Sequence, residues 1–315
     1  MRKLGIAVIG AGFWGRNHAR NMKELQETQL IAVCDKDEAR AKAIAELFGV
    51  EAYTDSRKML KRKDIEAVTV CTWSTNLATE AMNVLRAGKH VLVEKPMANS
   101  VREAKKIVDL AKKKQRYLMV GFLMRFIPGV QRIREAVEKG EIGTLVYATA
   151  RRVSEWPERI GDVGVVKDLA IHDIDIARYI LGDDPVEVYA KVGSLRHKQF
   201  EDHAQILLTF KGGKTVFIEA NWLTPYKIRK LTVTGSSAIM SLDYITQEIT
   251  IETSGQTLAP RYEVKEPLKL ELQHFAHIIL NDKEPIITGV DGLKAVRIAE
   301  AVLQSAQRGT AIKLQ

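Results

Sequence analysis

The chain has 315 residues, enough for about two domains at ~150 residues each, and 46% of them are apolar against 28% charged. That balance excludes a mainly disordered protein and lets each domain build a core without metals or disulfides. The 48 basic and 39 acidic side chains leave a net charge of +9. The excess lies on amphipathic stretches such as 57–63 and 112–116, which read as solvated helix faces. Aromatic residues interleaved with basic ones are missing, so nucleic acid is not expected as a partner. Cys34 and Cys71 end apolar runs and read as structural thiols of a reducing compartment. No Cys/His spacing suggests a metal site. No apolar run approaches the ~18 residues that cross a bilayer. Arg2-Lys3 before residues 4–9 imitates a secretory signal, but glycines interrupt the run, so the expected location is cytoplasmic.

Residues 4–9, 30–34, 67–71, 90–94 and 117–120 are short apolar runs suited to parallel strands buried on both faces. Helical periodicity separates them, as over 39–48 and 101–111. Repeated β-α-β units predict a doubly wound parallel sheet over residues 1–120. Beyond it the pattern changes. A helix over 127–139 precedes a strand over 144–153, and a helix over 171–181 stops at Gly182. Strands follow over 186–192, 204–210, 215–222, 231–234, 239–242 and 248–252, with Gly212-Gly213 as a hairpin signal. Helices over 268–280 and 292–307 close the chain. The fold class is α/β: a dinucleotide-binding domain over 1–120, then an α+β domain over 121–315 with a largely antiparallel open sheet. Its apolar strands would expose a sheet face in a monomer, so a homodimer or homotetramer is expected.

Gly10-Ala11-Gly12-Phe13-Trp14-Gly15 fits G-x-G-x-x-G directly between a strand and a helix pattern. The first glycine permits the tight turn, the second admits a pyrophosphate, and the third lets helix and strand pack closely. N–H groups at the helix start face the phosphates. Asp35 ends the second strand, 20 residues after Gly15. Its carboxylate suits the adenosine ribose and repels a 2′-phosphate, which favours NAD over NADP, although Lys36 and Arg40 lie nearby. The alternative is that Asp35 only caps the following helix.

Glu94-Lys95-Pro96 follows the fifth strand, where a lysine can point to the cofactor cleft or simply lie at the surface. Asp168, His172 and Asp175 share one face if their segment is helical, with Asp173 pointing elsewhere. A carboxylate there can set the tautomer of a proton-accepting histidine. The alternative is a helix cap and a structural histidine.

With these motifs the chain resembles the Gfo/Idh/MocA (glucose–fructose oxidoreductase/inositol dehydrogenase) family over nearly its whole length. The likeness rests on Gly10 to Gly15, Ala87-Gly88-Lys89-His90 leading into Glu94-Lys95-Pro96, Gly121-Phe122 with Arg125-Phe126, Gly140-Glu141-Ile142-Gly143, and Asp168/His172/Asp175. It implies a Rossmann domain, a second domain carrying substrate and oligomer contacts, and catalytic roles for Lys95, Asp168 and His172. It places Gly10, Gly12, Phe13, Trp14, Gly15, Asp35, Thr72, Glu94 and Lys95 at the cofactor. Trp73, Leu77 and Ala170 depart from the usual pattern, which has proline, histidine and glycine there.

Two further phrases, Trp156 to Gly164 and Asn221 to Arg229, are similar to dehydrogenases that oxidise C3 of UDP-N-acetylated sugars. Lys227, Arg229 and Arg159 would complement a pyrophosphate, and Tyr226 or Trp222 would stack on uracil or sugar. Arg125, Asp168 and His172 complete the expected substrate set. The alternative is a sheet-face aromatic cluster beside a solvated basic strand. The resemblance thus implies hydride transfer from a sugar secondary alcohol, with either His172 or Lys95 as the base. Alternatives are an inositol or free-sugar dehydrogenase, and a non-catalytic NAD-sensing protein.

Overall fold

In the computed structural model, which describes residues 2–157 and 162–314, the apolar runs of the first half become strands with little exposed face. β1 (Leu4–Ile9) is buried at every position. It is followed by α1 (Phe13–Glu24), β2 (Thr28–Cys34), α2 (Glu38–Phe48), β3 (Glu51–Tyr53) and α3 (Ser56–Met59). Then come β4 (Ala67–Val70), α4 (Ser74–Arg86), β5 (His90–Val93), α5 (Val101–Lys114) and β6 (Leu118–Val120). Side chains of Asp37, Asp55 and Ser100 cap α2, α3 and α5, each accepting a first-turn N–H. The strands form one parallel sheet in the order β3-β2-β1-β4-β5-β6. The order reverses between β1 and β4, and ligands of open α/β sheets bind beyond the strand ends at such a point. β3 has no counterpart among the apolar runs, because this three-residue edge strand buries none of its side chains.

The second sheet is built differently. α6 (Pro128–Glu138) precedes β7 (Leu145–Val153), and a π-helical turn (Val166–Ala170) runs into α7 (Ile171–Leu181). The strands β8 (Glu187–Gly193), β9 (His203–Thr209), β10 (Thr215–Asn221), β11 (Ile228–Gly235), β12 (Ile239–Asp243), β13 (Ile249–Glu252) and β14 (Thr257–Leu258) follow. α8 (Pro267–Asn281), α9 (Gly289–Arg308) and β15 (Ile312–Lys313) complete the described chain. The sheet order is β14-β13-β12-β11-β7-β10-β9-β8-β15, antiparallel except where β10 runs parallel to β7. Gly212 and Gly213 turn β9 into β10 at φ 74° and 78°, which an L side chain resists. Ala148, Ala150, Ile206, Ile218, Leu231 and Val233 bury one face of the sheet, and α7 packs on it at β10. On the other face Tyr189, Leu207 and Phe217 form one register row and stay 38%, 39% and 41% exposed.

Two compact units form, each from two stretches of the chain. One compact unit comprises Met1–Leu123 and Glu266–Val296, and the other comprises Met124–Lys265 and Arg297–Gln315. α8 joins the first unit because it packs on α1 and β1. Glu266 accepts from Arg20 at 2.5 Å and Asn21 at 2.9 Å, and Lys269 donates to Glu24 at 3.1 Å. Helical periodicity shows that 268–280 is amphipathic but not which surface it covers. Among the described residues, no helix is long and apolar enough to cross a membrane.

Candidate active site

In the first unit, the glycine turn is steric necessity. Gly10 sits at φ 95°, and a Cβ there would lie 2.6 Å from the Cys71 carbonyl oxygen. A Cβ on Gly15 would lie 1.6 Å from the carbonyl oxygen of Gly10. Gly12 caps α1 without a side-chain acceptor, and no acidic residue occupies the first turn. The first N–H groups of α1 lack intrahelical acceptors by geometry, and with the helix dipole they form a cradle for an anion. Phe13 and Trp14 are 72% and 42% exposed there, with ring centroids 5.7 Å apart, edge to face.

Asp35 braces this turn. Its Oδ2 accepts the Ala11 N–H at 2.8 Å and its Oδ1 the Asp37 N–H at 2.9 Å, while Arg40 Nη1 stands 3.6 Å from Oδ2. The cap of α2 is Asp37, which accepts from Arg40 N at 3.1 Å. Asp35 is thus released from the capping role that sequence alone leaves open. Turn, uncapped helix start and acidic residue together fit a dinucleotide.

At the end of β4, Thr72 Oγ1 donates to the Trp73 carbonyl at 3.2 Å, and Trp73 is 42% exposed ahead of α4. At the end of β5, Glu94 is turned into the protein. It is 6% exposed, its Oε1 lies 3.1 Å from His18 Nε2, and its Oε2 accepts the Lys95 N–H at 3.2 Å. A Cβ on Gly121 would come within 3.0 Å of the same carboxylate. Glu94, expected at the cofactor, also braces the turn that carries Lys95. Lys95 itself is part-buried, and the Lys95–Pro96 peptide is cis.

In the second unit, Asp168 lies on the π-turn and His172 in the first turn of α7, 8% exposed. The α-helical period therefore does not run unbroken from 168 to 175. Asp175 receives the fork of Arg125, with Nε at 2.8 Å and Nη2 at 2.6 Å, and the guanidinium lies 4.8 Å from the Tyr179 ring centre. Arg125, expected to hold substrate, is 4% exposed and locks α7 to the segment before α6. Asp173 takes the fork of Arg152 on β7 at 2.7 and 2.9 Å. Neither pairing is visible in the sequence, since 50 and 21 residues separate the partners.

Loops frame the start of the π-turn. Glu201 Oε1 accepts the Val166 N–H at 3.1 Å, and a Cβ on Gly164 would lie 2.2 Å from the Glu201 carboxylate. Asp202 accepts the N–H groups of Leu195, Arg196 and His197 at 2.7–3.1 Å, and its Oδ1 lies 3.0 Å from His203 Nδ1. Burial pushes its carboxyl up, but the donors from His197, Arg196 and their neighbours bring it down to about 2. Tyr226 is 64% exposed and Lys227 is exposed beside it. The Lys227 ammonium is held below its usual range by the charge of Arg229 and then by burial. Trp222 does not supply the stacking face expected of it. It is 3% exposed and packed edge to face on Trp156, with centroids 6.3 Å apart. Arg159 lies outside the described residues.

A family model described as an oxidoreductase family with an NAD-binding Rossmann fold matches residues 4–122, and the GFO/IDH/MocA C-terminal domain matches residues 130–241. The myo-inositol 2-dehydrogenase of Thermotoga maritima is 30% identical, across 99% of this chain and 99% of its own. The UDP-N-acetylglucosamine 3-dehydrogenase of Acidithiobacillus ferrooxidans is 27% identical, across 96% of this chain and 100% of its own. A crystal structure of aldose-aldose oxidoreductase from Caulobacter crescentus, complexed with glycerol, has a TM-score of 0.92 at 26% identity, covering 99% of this chain and 100% of that one. The N-terminal domain is thus an NAD-binding Rossmann domain.

Proposed function

The chain belongs to the GFO/IDH/MocA family of NAD-binding oxidoreductases, and we propose that it oxidises a secondary alcohol of a sugar, at C3 of a UDP-N-acetylated one. Bound NAD supplies the hydride acceptor. His172 takes the hydroxyl proton, since an imidazole accepts and releases protons near neutral pH. Lys95, as an ammonium, stabilises the negative charge that grows on the oxygen as the carbonyl forms. Asp168 orients the imidazole or holds a neighbouring hydroxyl. The observation that carries this reading is the buried His172 one turn beyond Asp168, on a helix pinned by the Arg125 and Arg152 forks.

In the same proposal, Gly10, Gly12, Phe13, Trp14, Gly15, Asp35, Thr72, Glu94 and Lys95 line the NAD site, and Asp35 disfavours the 2′-phosphate of NADP. Tyr226, Lys227 and Arg159 serve the uridine diphosphate, with an aromatic face and cations for a dianionic bridge. The exposed row of Tyr189, Leu207 and Phe217 suits a homo-oligomer contact, which light scattering tests. The cytoplasm is the proposed location.

The second reading keeps the chemistry and replaces the nucleotide sugar by a free polyol or aldose. What favours it is the 30% identity to a protein named myo-inositol 2-dehydrogenase. Following NAD reduction with UDP-N-acetylglucosamine, myo-inositol and D-glucose tests both. Turnover confined to the nucleotide sugar supports the first reading, turnover confined to the neutral compounds supports the second, and NAD binding with no turnover contradicts both.

A further inference from the structure

The inner face of β11 should be apolar throughout: Val233 and Leu231 are fully buried against the helix layer, and Arg229 is the next position on that face. Directly across the ladder stands Arg152, so two cations oppose each other where like charges destabilise a sheet. Arg152 is neutralised by the Asp173 fork. Arg229 is part-buried, yet among the described residues no carboxylate lies within ion-pair distance of it. Burial, and then the charge of Arg152, pull its guanidinium down to about 10, against opposing pulls from Asp173 and Asp168. A part-buried cation without a counter-ion costs free energy that an apolar residue would not.

Two more donors remain unused beside it. Nη1 of Arg152 and the hydroxyl of Tyr244 are buried without a hydrogen-bond partner. Tyr244 donates its backbone N–H to the Arg229 carbonyl at 2.9 Å, and its ring lies 5.2 Å beneath the Arg152 guanidinium. All these donors belong to one compact unit, and Asp168 is close enough to act on the charge of Arg229.

We propose that Arg229, with Tyr244 and Arg152 behind it, forms an oxyanion subsite that holds a phosphate or carboxylate group carried by the substrate. This rests on the proposed dehydrogenase reading and adds that the substrate is an anionic sugar. A planar guanidinium takes either anion in a two-point hydrogen bond, and the anion would give Arg229 the counter-charge that no carboxylate among the described residues supplies.

The test uses the full chain with NADH and two anionic probes, UDP and D-glucuronate, with D-glucose as the neutral control. Titration by tryptophan fluorescence compares wild type with Arg229→Gln and with Lys230→Gln, whose cation lies on the opposite, solvated face of the same strand. The subsite predicts that Arg229→Gln weakens an anionic probe roughly 10- to 100-fold, while Lys230→Gln stays within about twofold. Loss for UDP alone assigns a phosphate, and loss for glucuronate alone assigns a carboxylate. Arg229→Leu should leave the melting temperature unchanged or raise it. Equal effects of the two glutamine variants, no binding of either anion by wild type, or a lowered melting temperature in Arg229→Leu would overturn the subsite. Turnover of a neutral polyol with neither anion bound would sink the subsite and leave the dehydrogenase reading standing.

Discussion

Asp35 accepts the backbone N–H of Ala11 at 2.8 Å, so the acidic residue at the end of β2 holds the middle of the glycine turn in place. The residue proposed to meet the ribose is therefore also the one that shapes the phosphate loop. Asp35→Ala should raise the Kd for NAD roughly 10- to 100-fold, since a charge-assisted hydrogen bond contributes about 1.5–3 kcal/mol. The fold should survive, because Asp35 is partly solvated. Isothermal titration with NAD and with NADP reads the loss and any change in preference between them.

Gly15 lies under the Gly10 carbonyl, where a methyl group would sit 1.6 Å from a backbone oxygen. Gly15→Ala must push β1 and α1 apart, at a cost of about 1–3 kcal/mol or more. We expect a lower melting temperature together with lost NAD binding. An alanine variant with native affinity would show that the turn is not the phosphate cradle.

The Arg125–Asp175 and Arg152–Asp173 pairs are almost wholly buried. Removing one partner takes the two-point bond from a buried charge, at a cost of about 3–5 kcal/mol. Arg125→Ala and Asp173→Ala should each lower the free energy of unfolding by that amount in an equilibrium urea series, seen as a lower midpoint. If Arg125 served substrate alone, the midpoint would stay near wild type while KM rose.

These pairs mark the limit of what the sequence discloses. Leu4 to Ile9 announces a buried strand because every side chain is apolar, and Gly182 announces the end of α7 because it takes the left-handed conformation. The glycine turn is equally legible, since its spacing is imposed by backbone clearance. β3 leaves no trace because its three side chains are solvated, and α8 carries an amphipathic pattern that does not say what it covers. Arg125, Asp173 and Glu94 owe their positions to partners far along the chain, and such partners have no periodicity to betray them. The π-turn at 166–170 also breaks the regular spacing on which the one-face reading of Asp168, His172 and Asp175 relied.

His90 begins β5, and its Nδ1 accepts the Tyr117 N–H at 3.0 Å. Burial, followed by the charge of Arg116, lowers its imidazole to about 4. The unfolded chain takes up this proton near pH ~6.5 and the folded chain only near the lower value. The neutral ring therefore contributes stability above about pH 6.5, and that contribution is lost as pH falls towards 4. Chemical denaturation across this interval should show His90→Gln losing less stability than wild type, by about 1–3 kcal/mol.

Steady-state NAD reduction by wild type, Lys95→Ala and His172→Ala, with the sugar that wild type turns over, is the most direct measurement of the proposed chemistry. The account predicts that each variant loses roughly 10²- to 10⁴-fold in kcat while its NAD affinity stays within a few fold of wild type. Undiminished kcat in both variants would contradict it.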